Sequence, residues 1–250
     1  MTSLTIKQLP SLNHGPRPQN AVIDILLVHY TGMPTAQIAL ERLCDPKAQV
    51  SAHYTIDEDG TILRHVEESQ RAWHAGVGFW RGDRDVNSRS IGIELVNPGH
   101  EFGYRPFPKA QMTAFLVLAH DILKRHPTIR SDGVLGHADV ACARKEDPGE
   151  LFDWKRCAEK GIGFWPNLED CDLSPSVSHK NSSPAEEARA LLQRYGYDTQ
   201  SDNALTSSLI AFQHHFRPSR LTGFPDSETL CILRAAVRQT GRAELSTQSL

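Results

Sequence analysis

The chain has 250 residues, 39% of them hydrophobic and 23% charged, with a formal net charge of −3. That length suits one large or two smaller domains, and the composition is that of an ordinary globular protein. The mildly acidic balance gives no electrostatic case for nucleic acid or anionic lipid as partner, and no apolar stretch approaches the roughly 18–20 residues of a membrane-spanning helix.

The first ten residues, Met1 to Pro10, carry no apolar core of the kind a secretory signal needs and no lipid-attachment cysteine. A cytoplasmic address is therefore expected, with the periplasm or outer membrane as the alternative if a signal has been removed. Val22 to His29 reads as a buried mid-sheet strand of Val, Ile and Leu, bounded by Pro16 and Pro18 before it and Thr31-Gly32 after it. Ser51 to Ile56 and Thr61 to Val66 read as two short strands joined by an Asp59-Gly60 hairpin. Ser90 to Asn97 is a further strand whose alternation puts Ile91, Ile93 and Leu95 on one face and Gly92, Glu94 and Val96 on the other.

Pro108 suits the first turn of a helix with Met112, Phe115, Ala119 and Ile122 as its apolar stripe, ended by His126-Pro127. Strands and helices alternate up to about Pro166, which predicts a mixed α/β or α+β domain over residues 1–166. Residues 167–184, rich in Asp, Ser, Pro and Asn, read as a linker. Residues 185–242 predict three short helices. Their apolar positions are Ala188, Leu191, Leu192 and Tyr195, then Leu205, Leu209, Phe212 and Phe216, then Leu230, Leu233 and Val237. Gly196 is placed to end the first helix and Asp226 to cap the third. About 60 residues of helix make a small bundle with a marginal core. Residues 243–250 are a tail. The five cysteines are odd in number and form no CxxC pair, so no disulfide framework or thiolate metal site is expected, and scattered free thiols suit a reducing compartment.

His29 at the end of its strand, His137 after a glycine and Asp147 before Pro148-Gly149 make a possible set of two imidazoles and one carboxylate. Three such ligands with an open fourth position are the pattern of a catalytic zinc rather than a structural one. The plainer readings are hydrogen-bonded histidines and a turn aspartate. Cys142 is a rival ligand. Hydrolysis also needs a proton acceptor and a group for the developing oxyanion. Glu94, acidic in an apolar strand, is the candidate base, against an edge-strand Glu facing solvent. Lys145, two residues before Asp147, is the candidate for the oxyanion, against a solvated lysine between Arg144 and Glu146. Trp73 and His74 lie in a dense patch, Arg71 to Gly76, and read as core, extra ligand or substrate contact.

Six motifs in order change the weight of these readings: Leu27 to Thr31, Ser51 to Tyr54, Arg71 to Gly76, Ser90 to Glu94, Gly136 to Asp139 and Arg144 to Gly149. Over about residues 20–166 they closely resemble the zinc-dependent N-acetylmuramoyl-L-alanine amidases of type 2, the AmpD-like group, related in fold to phage T7 lysozyme and peptidoglycan recognition proteins. The resemblance implies an α+β fold with a mixed central β-sheet flanked by helices. It implies one Zn2+ held by His29, His137 and Asp147, with Glu94 as general base and Lys145 on the oxyanion. The bond cut would be the amide between the lactyl group of N-acetylmuramic acid, or its 1,6-anhydro form, and L-alanine of the stem peptide. Tyr30, His53, Trp73, His74, Arg84 and Asn87 would meet the substrate. Where cytoplasmic members often carry an arginine, this chain has Asp85 with Arg84 beside it, which puts the peptide contact in doubt. Tyr195 to Tyr197, Ala211 to Pro218 and Asp226 to Leu230 are similar to the three-helix peptidoglycan-binding module carried by wall-associated members. The expected partner is peptidoglycan or a muropeptide, and the expected state is a monomer. The rivals are a non-catalytic recognition protein, which would lack a complete ligand set, and a zinc peptidase cutting within the stem peptide.

Overall fold

The computed structural model describes residues 5–169 and 183–242. In chain order the strands are β1 (Ile6–Gln8), β2 (His14–Pro16), β3 (Ile25–Tyr30), β4 (Tyr54–Ile56), β5 (Ile62–Arg64), β6 (Gln70–Ala72), β7 (Ser90–Leu95) and β8 (Val134–Gly136). The helices are α1 (Ala36–Cys44), α2 (Val86–Arg89), α3 (Gly99–Phe102), α4 (Lys109–Arg125), α5 (His137–Val140), α6 (Trp154–Glu159), α7 (Pro184–Tyr195), α8 (Asp202–Phe216) and α9 (Ser227–Gln239). Six strands form one sheet in the order β1-β5-β4-β7-β3-β8, and β2 pairs with β6 separately. The β3–β7, β3–β8, β4–β7 and β1–β5 pairs are parallel, and the β4–β5 hairpin is antiparallel. This is the mixed central sheet flanked by helices that the sequence predicts.

β3 is buried on both faces, as a central parallel strand must be. It starts at Ile25 rather than Val22 because Asp24 turns to Arg89, whose guanidinium it binds at 2.7 Å. The expected strand at Ser51 is shorter too. Ser51 and His53 donate their amides to Trp73 and Gly92 as an irregular lead-in, and regular pairing begins at Tyr54. On one face of the sheet, Leu26, Val28, Ile91, Ile93 and Leu95 pack with Phe115, Leu118, Ala119 and Ile122 of α4. Met112 is only at the margin of that stripe. Gln111 takes the buried place and donates to the carbonyls of Ile56 and Val96 at 2.9 and 3.0 Å, pinning the helix to the ends of β4 and β7.

The other face is completed by the C-terminal helices. Ile25, Leu27 and Leu135 share one apolar cluster with Trp80, Ala138 and Val140 and with Leu192, Tyr195, Tyr197, Phe212 and Leu233. Two helix ends are as the sequence suggests, Gly196 ending α7 at φ 145° and Asp226 accepting from the Thr229 amide, and Ser183 with Glu186 adds a capping box at the start of α7. A Cβ at Gly196 would come within 3.0 Å of the Trp80 ring, so this glycine also lets α7 close onto the sheet domain. The three expected helices are present and share their core with the sheet. Some 60 residues bury too little surface alone, and here their apolar side chains continue the core of the sheet. The proposed linker falls largely outside the described residues, as does the tail from 243 on.

Cys44, Cys142 and Cys157 are free, whereas Cys231 is disulfide-bonded, against the expectation of free thiols throughout. Among the described residues no helix is long and apolar enough to cross a membrane.

Candidate active site

β3 and β8 run parallel and in register, with Val28 opposite Gly136. Their C-terminal ends therefore deliver His29 and His137 to the same edge of the sheet. Gly136 is needed there, because a Cβ would lie 2.7 Å from Pro148 Cδ and hold the Asp147 segment away. The two Nδ1 atoms are 2.9 Å apart, and Asp147 Oδ2 lies 3.0 Å from each. All three side chains are buried. Donor atoms around a four-coordinate zinc at 2.0–2.1 Å are separated by roughly 3.3 Å, so this near-equilateral triangle matches one face of such a shell.

The far side of each imidazole is tied down. His137 Nε2 donates to the Ala75 carbonyl at 2.9 Å, which leaves Nδ1 as the free lone pair. His29 Nε2 sits 3.0 Å from His74 Nδ1. His74 Nε2 lies 3.3 Å from Ser90 Oγ, whose hydroxyl donates to the Val86 carbonyl at 2.7 Å. Read in the direction that satisfies every group, the chain of donors runs from His29 outward, so its Nδ1 is also a free lone pair. Burial, then the neighbouring His137, pushes His29 down to about 4, so the ring is neutral at pH 7. Burial alone would raise Asp147, but its histidine neighbours, His137 first and then His29, outweigh burial whenever they carry a proton on Nδ1 and hold the carboxyl well below its usual range. Two imidazoles and a carboxylate are a donor set that a zinc ion takes. Cys142 drops out as a rival: its thiol donates to the Asp139 carbonyl, and burial pushes it up to about 12.

Glu94 is opposite His29 in the β3–β7 register, and paired residues of parallel strands project from the same face. Its Oε2 has no hydrogen-bond partner among the described residues. Burial, reinforced by Asp147 and opposed by Lys145, raises its pKa well above the ordinary carboxyl value. Such a shift brings a carboxylate toward the range a general base uses. Lys145 is exposed on the wall of the same cleft.

The cleft has a volume of about 740 Å³ and includes all five of these residues. Tyr30, Trp73 and His74 also border it. His74 is mainly a support, its ring seated on Gly92, where a Cβ would come within 2.6 Å. His53, Arg84 and Asn87, also expected at the substrate, do not border the cleft. His53 is fully buried, with Nδ1 accepting from the Gly92 amide at 2.9 Å. Asn87 Oδ1 accepts from the amides of His74 and Ala75, so it braces that loop from behind. Arg84 pairs with Asp198 at 3.3 Å and lies over the Phe79 ring, while Asp85 caps α2 and binds Arg71 at 3.0 Å. Adjacency in sequence to a cleft motif says nothing about which side of it a residue faces.

Several cleft residues had no sequence signal. His100 meets Tyr30 Oη at 2.9 Å and Glu150 at 3.0 Å, and it stacks on Tyr104. Ile210, Ala211 and His214 of α8 border the cleft from the C-terminal helices.

Residues 19–150 match the family model described as N-acetylmuramoyl-L-alanine amidase. The chain belongs to this family. It is 37% identical over 239 residues to N-acetylmuramoyl-L-alanine amidase AmiD of Escherichia coli (strain K12), covering 88% of this chain and 84% of the relative. It is 35% identical over 166 residues to 1,6-anhydro-N-acetylmuramyl-L-alanine amidase AmpD of Haemophilus influenzae, covering 60% of this chain and 87% of that protein. Among solved structures, E. coli AmiD in complex with the substrate anhydro-N-acetylmuramic acid-L-Ala-D-gamma-Glu-L-Lys is similar at TM-score 0.78 and 36% identity, over 90% of this chain and 93% of that one. AmpDH3 of Pseudomonas aeruginosa with an anhydromuramic pentapeptide is similar at 0.77 and 31%, over 89% and 94%. The amidase is thus a hydrolase of the amide bond between N-acetylmuramic acid and L-alanine. The likeness to AmiD runs on through the C-terminal helices, and the shorter AmpD match does not.

Proposed function

We propose that the amidase holds one zinc ion on His29 Nδ1, His137 Nδ1 and Asp147 Oδ2, and cuts muropeptides bearing an N-acetylmuramic or 1,6-anhydro-N-acetylmuramic acid end. The triangle of donors with both far nitrogens committed carries this reading. Bound there, zinc supplies the Lewis acidity that makes water a nucleophile near neutral pH. Glu94 takes the proton as water attacks the lactyl carbonyl, then returns it to the departing amine of L-alanine. The Lys145 ammonium faces the carbonyl oxygen as its charge develops. Tyr30 and Trp73 border the path of the substrate. The solved complexes of AmiD and AmpDH3 with anhydromuramic peptides support the choice of ligand.

The binding-protein alternative is disfavoured by a complete ligand set beside an unpartnered Glu94 carboxylate. The disulfide at Cys231 supports action in an oxidising compartment in place of the cytoplasmic address, and we propose a monomer. Mass spectrometry of digested muropeptides tests the bond assignment. Intact stem peptides beginning at L-alanine are expected, and any cut inside the peptide would overturn it.

A further inference from the structure

His137 is the first residue of α5, a helix of four residues whose Ala138 and Val140 pack into the apolar cluster. The Gly136 amide donates to Asp139 Oδ2 at 2.7 Å, which closes this single turn on itself. Two residues on, the Ala138 amide donates to the Asp147 carbonyl at 2.9 Å. A tilt of α5 therefore moves two donors of the triangle at once.

What holds Asp139 comes from the C-terminal helices. Tyr197 Oη donates to Oδ1 at 2.5 Å, and His215 Nδ1 meets Oδ2 at 2.8 Å. Asp139 and Tyr197 are 2% exposed and His215 is 3% exposed. Burial, reinforced by Asp139, keeps the Tyr197 phenol protonated and so a donor. Neither donor is free to swing. The His215 ring stacks on Trp154 at 3.9 Å, and Tyr197 stands edge-on to Trp80 at 5.1 Å. Both oxygens of a buried carboxylate are thus engaged by residues 58 and 76 positions downstream. A buried acceptor that loses such a partner moves to find another or bears the full desolvation penalty.

We propose that Tyr197 and His215 are positioning residues of the metal centre: they clamp Asp139, and through α5 they aim His137 Nδ1 and hold the Asp147 segment. The C-terminal helices are then a built-in part of the ligand set's support. This rests on the reading of His29, His137 and Asp147 as ligands. Outer partners of metal ligands typically change affinity by about 10–100-fold when removed.

The test uses the full chain and the variants Tyr197→Phe, His215→Gln, Tyr195→Phe and His137→Ala. Zinc affinity is measured by chelator competition, and the electronic spectrum is recorded with cobalt(II) in the site. Tyr197→Phe and His215→Gln are expected to weaken zinc by about 10–100-fold, to shift the cobalt spectrum, and to lower kcat with KM little changed. Tyr195→Phe, equally buried but not bonded to Asp139, should match the parent. If His215→Gln fails to fold, Tyr197→Phe decides, since it deletes one oxygen. Parent-like zinc affinity and cobalt spectrum in Tyr197→Phe, with only the melting temperature lowered, overturn the proposal while His137→Ala still loses zinc. A parent that binds no zinc, or His137→Ala that binds it as the parent does, overturns the ligand reading and the proposal with it.

Discussion

The two faces of the central sheet use the same strands for opposite ends. Toward α4, Leu26 and Val28 of β3 and Ile91, Ile93 and Leu95 of β7 make a uniformly apolar surface. Toward the C-terminal helices, the alternate residues of the same strands are Ile25, Leu27 and His29, and Gly92 and Glu94. This face is apolar at its base and turns polar at the C-terminal strand ends, where His29 and Glu94 face each other in register. The glycine there replaces bulk with room for the His74 ring. One face therefore supplies rigidity through close packing, and the other spends part of its burial on groups held away from their preferred ionisation. Chemistry needs a platform that does not move.

If the division is right, damage on each face should read out differently. Glu94→Ala should reduce kcat by about 10²–10⁴-fold, the usual range for a general acid–base group, with zinc affinity near that of the parent. Retained turnover would remove Glu94 from the mechanism. Phe115→Ala, on the opposite face, should cost about 3–5 kcal/mol of stability from the cavity left under α4. The folded fraction should keep its zinc affinity, and a parallel loss of metal would mean the faces are not separable.

The pH dependence of the metal-free protein probes the site face. His29 is depressed from 6.5 to about 4, so the unfolded chain takes up its proton first as pH falls. Its contribution is complete above about 6.5 and is lost as pH drops toward 4, on the order of 3 kcal/mol. His53, depressed to about 3 by burial and then Arg17, acts in the same direction. Urea melts of the parent and of His29→Ala between pH 7 and 4 should converge as the pH falls, and parallel curves would refute the shift. The smallest effect belongs to Arg84→Ala. Its pair with Asp198 is exposed and off the cleft, so stability should change by less than about 1 kcal/mol and kcat/KM should not move. A large rise in KM would return Arg84 to the substrate.

The elements were legible wherever one face meets one environment. Ile91, Ile93 and Leu95 alternate because α4 covers them, and Phe115, Ala119 and Ile122 repeat with the helix because the sheet covers them. The three donors were legible as candidates because the motifs around them are local: a strand end, a glycine before His137, a turn after Asp147. His53, inside one of the motifs, and Asn87, between two of them, brace the site from behind, and sequence alone does not separate such scaffolding from cleft wall. The cleft wall from α8 was illegible for a different reason. Ile210, Ala211 and His214 look like ordinary helix positions until the helix is docked.

By itself, the order of residues determined the main strand and helix periods, the helix ends at Gly196 and Asp226, the donor types at His29, His137 and Asp147, and the family. Those are properties of short windows, set by side-chain spacing and backbone preference. Only the tertiary structure decided that donors 108 and 118 residues apart come within 3.0 Å. The same holds for Glu94 sharing their face and for the last helices continuing the sheet's core onto Asp139. Those outcomes depend on strand register and on which apolar surfaces find each other, and neither is written in any one stretch of the chain.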